Sequence, residues 1–162
     1  VLVSPQDHAL FHGDPHAGNV FHVATGGRDP YRIALLDWGI SAEFSRRDRE
    51  QLIQLLLGLT LRDGKRLTNN INVLVDWEPQ SAEERQAMRD RIEELISEHQ
   101  GKDAFAVLNE LITTLAREGY SIRYETTIFI KSQLTISGML RELDPEFKQD
   151  KHTMDRMSGQ VM

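Results

Sequence analysis

The chain has 162 residues, 40% hydrophobic and 27% charged, a length and balance that suit one globular domain with a real core. Its net charge of -6, from 25 acidic and 19 basic residues, argues against a nucleic-acid footprint, which needs a basic face. With no cysteine there is no disulfide framework and no thiolate chemistry, and a reducing, cytoplasmic setting fits. No apolar run reaches the length of a membrane span. The start, Val1-Leu2-Val3-Ser4-Pro5, lacks a signal peptide's features and reads as a piece of a longer protein.

In chain order, Val20 to Val23 reads as a short strand. The turn-rich Thr25-Gly26-Gly27-Arg28-Asp29-Pro30 follows, then a second apolar run, Ile33-Ala34-Leu35-Leu36, ending at Asp37. Two such runs about a Gly-rich turn predict a β-hairpin. After Gly39 the period becomes helical. Ser45 and Asp48 resemble a capping box, with Leu52, Leu55, Leu56 and Leu59 on one face behind them. A second helix is expected over about 64–75. Ser81 and Glu84 cap a third, with Met88, Ile92, Leu95, Ile96 and His99 along one face. Asp103 caps a fourth, with Leu108, Leu111, Ile112 and Leu115 inward and Gly119 as its stop; a fifth covers about 125–142 and ends at Asp144-Pro145. Residues 148–162 read as a polar tail. The expected class is α+β, mainly α: a short hairpin beside a functional loop, followed by a helical bundle.

Chemistry concentrates in His12-Gly13-Asp14-Pro15-His16-Ala17-Gly18-Asn19, followed 18 residues after Asn19 by Asp37-Trp38-Gly39. Phosphoryl transfer needs an acceptor hydroxyl relieved of its proton and metal ions that neutralise phosphate charge. Asp14 suits the first task. The Asn19 amide oxygen and the Asp37 carboxylate suit the second, because magnesium prefers hard oxygen ligands. A hairpin between the two segments would bring their ends together. Histidine-x-aspartate, an asparagine five residues on, and a following aspartate-aromatic-glycine resemble the kinase pattern, with His12 bracing the loop and Gly39 closing the second motif.

Eukaryotic-type protein kinases carry an arginine where this chain has Gly13, and seven residues between Asp37 and Ser45 leave no peptide-docking platform. A small-molecule or lipid-like acceptor is expected. The segments Phe11 to Asn19, Ala34 to Gly39, and Gly138-Met139-Leu140-Arg141-Glu142-Leu143-Asp144-Pro145-Glu146-Phe147 resemble the ABC1 (AarF/UbiB) family of atypical kinases. Trp38 stands where that family usually has phenylalanine. The resemblance implies the C-lobe of a protein-kinase-like domain over 1–147, with its N-lobe upstream, ATP and magnesium as cofactors, and a link to isoprenoid quinone (ubiquinone) synthesis. It also implies a lipid or quinone-intermediate ligand and an association peripheral to a membrane. By position Asp14 would be the catalytic aspartate, with Asn19 and Asp37 as metal and nucleotide ligands. The nucleotide-anchoring motifs lie upstream in the family, so this stretch alone would be inactive.

Two other classes remain open: a small-molecule kinase of the aminoglycoside or choline type, and a pseudokinase scaffold. Four of the six histidines, His8, His12, His16 and His22, lie near Asp14 in sequence, but Gly13, Pro15 and Gly18 break the helix that a zinc set would need. Arg46, Arg47 and Arg49 read as a solvated face, and Leu55-Leu56-Leu57 as core.

Overall fold

The computed structural model describes residues 1–24, 31–99 and 101–147. The expected turn at 25–30 and the tail at 148–162 lie outside the described residues. The rest is mainly helical with two small antiparallel sheets, as the α+β expectation had it.

Strands β2 (Val20–Ala24) and β3 (Tyr31–Leu35) form the expected hairpin, with Val20 opposite Leu35 and His22 opposite Ile33. A second pair was not anticipated. β1 (His8–His12) and β4 (Ser41–Ser45) run antiparallel, with Phe11 opposite Ala42 and Ala9 opposite Phe44. The hairpin therefore sits inside a second, outer pair of strands. Five-residue strands in two-stranded pairs are marginal by themselves and need packing. Here the packing comes from aromatic rings. Phe11 stacks on Phe44 at 5.0 Å between centroids, and Phe129 meets both edge-on at 5.5 and 5.4 Å. Phe105 approaches the other side of Phe129 at 6.3 Å, so the outer strands are fastened to the helical core.

Helix α1 (Arg46–Leu61) starts at the expected capping box: Ser45 accepts from the Asp48 N–H, and the Asp48 side chain accepts from the Ser45 N–H. Leu52, Leu55, Leu56 and Leu59 are buried, while Leu57 is half-buried. Helix α2 (Gly64–Asn70) is shorter than expected. A 3-10 turn over Ile71–Val73 follows, and Val75 pairs with Ile122 in an isolated bridge. The backbone beyond Asn70 turns aside to serve that bridge: Leu74 accepts from the Arg123 N–H at 2.8 Å. Helices α3 (Ala82–Glu98) and α4 (Ala104–Arg117) begin at Ser81 and Asp103, and Gly119 takes the left-handed conformation (φ 92°) after α4. Helix α5 (Tyr124–Leu143) ends at Asp144 before Pro145. The apolar residues expected inward on α3 and α4 are all buried, and His99 is half-buried at the end of α3. Among the described residues, no helix is long and apolar enough to cross a membrane.

One expectation about charge is corrected. Arg46 and Arg47 are exposed, but Arg49 is only 2% exposed. Its guanidinium donates to the carbonyls of Phe44 (2.9 Å), Asp7 (3.3 Å), Ser4 (3.2 Å) and Gln6. Four carbonyls replace water around a buried cation, which ties the segment before β1 to the start of α1. A run of three arginines gives no sign of which one the fold will enclose.

Candidate active site

The loop 13–19 lies where the two strand pairs meet. On one side the Gly13 N–H donates to the Ile40 carbonyl at 2.9 Å, extending the β1–β4 ladder. On the other the Leu36 N–H donates to the Asn19 carbonyl at 2.9 Å, extending the β2–β3 ladder. Gly13 is a steric necessity. A Cβ there would lie 2.5 Å from Cγ2 of Ile128 and 2.7 Å from Cγ2 of Ile40. No arginine could occupy that position beneath α5.

Four hydrogen bonds close a ring through the candidate residues. The Asp14 N–H donates to Nδ1 of His12 at 3.2 Å, which places the imidazole proton on Nε2. That nitrogen donates to the Leu36 carbonyl at 2.8 Å. The Leu36 N–H donates to the Asn19 carbonyl, and Nδ2 of Asn19 donates back to the Asp14 carbonyl at 3.1 Å. His12 is 6% exposed, and both of its ring nitrogens bond to the backbone. The ring joins the backbone at Asp14, at Asn19 and at the residue preceding Asp37.

Fixing Asn19 by its amide nitrogen orients its oxygen. Oδ1 has no protein partner among the described residues. Asp37 has a left-handed backbone (φ 56°), which aspartate tolerates better than most residues because its short side chain bonds locally. Its Oδ1 accepts from the Gly39 N–H at 3.2 Å, and a Cβ at Gly39 would sit 3.1 Å from that oxygen. The second Asp37 oxygen has no protein partner among the described residues. The indole of Trp38 donates to the Leu35 carbonyl at 3.1 Å, a bond phenylalanine could not make, and its ring meets His12 edge-on at 4.9 Å.

An amide oxygen and an exposed carboxylate oxygen are a donor set that suits magnesium, whose remaining ligands are ordinarily phosphate and water. Among the described residues, no group of three or more His, Cys, Asp or Glu side chains is arranged to hold a metal, so the zinc arrangement is not formed. His8 instead faces Glu43 at 3.4 Å on the surface, and His22 is exposed.

The sequence reading missed an apolar groove of about 530 Å³ beside the loop. His12, Pro15 and Trp38 line the end nearest the site; Leu10, Ile33, Met139 and Leu143 line the rest. Ile33 is 65% exposed and Leu143 83%, values more usual for lysine than for large apolar residues. The signal that could have found it was Leu10 in β1 and Ile33 in β3, large apolar residues on exposed strand positions.

Residues 2–71 match the family model of the ABC1 atypical kinase-like domain. Over these residues the chain is similar to the ABC1 family. The ABC1 stretch runs from before β1 to the end of α2 and holds every residue of the ring. Over most of its length the chain is similar to the "Probable protein kinase UbiB" of Azotobacter vinelandii, 30% identical over 142 residues, 85% of this chain and 26% of that protein. The UbiB protein of Tolumonas auensis is 28% identical over the same shares. An uncharacterized protein of Synechocystis is 41% identical over 57 residues, 35% of this chain and 13% of that protein. The chain thus spans about a quarter of the length of the UbiB proteins it matches. No solved structure matches it.

Proposed function

We propose that this chain is the C-lobe part of an ATP-dependent phosphotransferase or ATPase of the ABC1 type, serving isoprenoid quinone synthesis. The observation that carries the reading is the closed ring of hydrogen bonds, which holds the backbone at Asp14, Asn19 and Leu36 in one frame, beside Asn19 and Asp37 oxygens that have no protein partner among the described residues. In this reading Asn19 Oδ1 and the Asp37 carboxylate hold magnesium. Bound there, the ion neutralises charge on the nucleotide phosphates. Asp14 orients an acceptor hydroxyl, or water, and takes its proton. The acceptor oxygen bonds to the terminal phosphorus as the bond to ADP breaks, and ADP leaves with the electron pair. The apolar groove beside His12 supports an acceptor with an apolar body, a lipid or quinone intermediate drawn from a membrane to which the protein is peripheral. The steric closure at Gly13 supports an enzyme without the arginine that reads a phosphorylated activation segment.

The test is ATP turnover by the natural full-length protein beside Asp14→Asn. The variant keeps the loop's backbone bonds but cannot take a proton, so turnover should fall by about a hundredfold or more. Unchanged turnover would remove Asp14 from the chemistry and overturn this reading of the loop.

A further inference from the structure

We propose that His16 is a positioning residue that holds the Asp14 carboxylate, an inference that rests on the phosphotransfer reading above. His16 precedes the 3-10 turn over Ala17–Asn19, and its Nδ1 accepts from the Gly18 N–H at 3.0 Å. Gly18 permits this, since a Cβ there would come within 3.0 Å of Cε1 and 3.1 Å of Nδ1 of the ring. A backbone N–H cannot be turned around, so Nδ1 is the acceptor and the ring proton of the neutral imidazole sits on Nε2.

That assignment changes the meaning of a nearby contact. Nδ2 of Asn19 lies 3.2 Å from Nε2 of His16, yet it also donates to the Asp14 carbonyl. Two donors face each other there, so the contact is not a hydrogen bond. The Nε2 proton has another acceptor at hand, Oδ2 of Asp14 at 3.8 Å. This is longer than a hydrogen bond, as contacts in unloaded sites commonly are before substrate tightens them. Asp14 and His16 lie two residues apart in the loop, which is held by the ring of bonds through His12. With Oδ2 drawn toward His16, Oδ1 of Asp14 is left to meet the acceptor.

A cap alone and a positioning group make different predictions, and His16→Asn separates them. Asparagine can accept from the Gly18 N–H as well as histidine does but is too short to reach Asp14. In the full-length protein, His16→Asn should lower kcat by about tenfold, the scale for losing a supporting partner, with the KM for ATP and the melting temperature unchanged. The same substitution in an Asp14→Asn background should cost nothing further, because the carboxylate it positions is gone. Wild-type kcat in His16→Asn, or equal losses in both backgrounds, would overturn the inference while leaving Asp14 in place. If Asp14→Asn by itself keeps full turnover, the underlying phosphotransfer reading fails, and this one with it. Should His16→Asn melt early, the comparison of the two backgrounds still decides, since both carry the same structural loss.

Discussion

The helical half and the loop half use the same kinds of polar side chain to different ends. In the helices Asp48, Asp63, Ser81 and Asp103 all bond to backbone N–H groups at helix starts, and these contacts complete the fold. Asp48 goes further: its second oxygen takes the Arg123 guanidinium at 2.7 Å, across 75 residues. In the loop half Asn19 and Asp37 also bond to the backbone, but each with one end only. The contrast lies in what is left over. Asp48 has both oxygens taken within the chain, whereas Asn19 and Asp37 each keep an oxygen without a protein partner among the described residues, which in the proposed reading is where magnesium binds.

The two halves meet at Gly13. Gly13→Ala sets a methyl against Cγ2 of Ile40 and of Ile128, so those side chains must shift. Overpacking of this kind should destabilise the fold by about 1–3 kcal/mol, read as a lower midpoint in urea. It should also disturb turnover, because the loop hangs from that position. A variant as stable as the wild type would show that the two halves are not locked together there.

A smaller effect sharpens the helical side. Burial raises the pKa of Asp48, but hydrogen bonds from Ser45 and Arg123 and the charge of Arg123 outweigh it and hold the carboxyl below its usual value. A depressed folded-state pKa stabilises above the unfolded value, about 3.9, and that contribution disappears as the pH falls through the folded one. Arg123→Met should cost about 1 kcal/mol at neutral pH and flatten the loss of stability in acid. Equal acid slopes in both proteins would mean that the pair contributes nothing. Turnover at neutral pH should be little changed, since Arg123 lies away from the loop's ring of bonds.

How much could be read in advance follows the same division. Helix starts at Ser45, Ser81 and Asp103 were legible because a cap is a local signal, complete within four residues. The β2–β3 hairpin was legible for the same reason. The β1–β4 pair was not: its stability comes from Phe11, Phe44 and Phe129, which are far apart in sequence and meet only when α5 docks. Arg49 was misjudged on similar grounds, since its four carbonyl partners come from two separate segments. Asp14, Asn19 and Asp37 could be named from spacing. The bonds that join them could not, because they pass through the backbone of Leu36, which carries no signal in its side chain.

In the proposed reading the loop half divides its work, with Asp37 and Asn19 on the metal side and Asp14 on the acceptor side. A magnesium-dependent ATP titration of the full-length protein tests this most directly, with Asp37→Asn and Asp14→Asn measured beside the wild type. Asp37→Asn keeps the size but weakens the anionic ligand, so magnesium-dependent nucleotide affinity should drop by roughly tenfold or more. Asp14→Asn should bind nucleotide nearly as the wild type does. Loss of binding in Asp14→Asn with binding retained in Asp37→Asn would contradict the account.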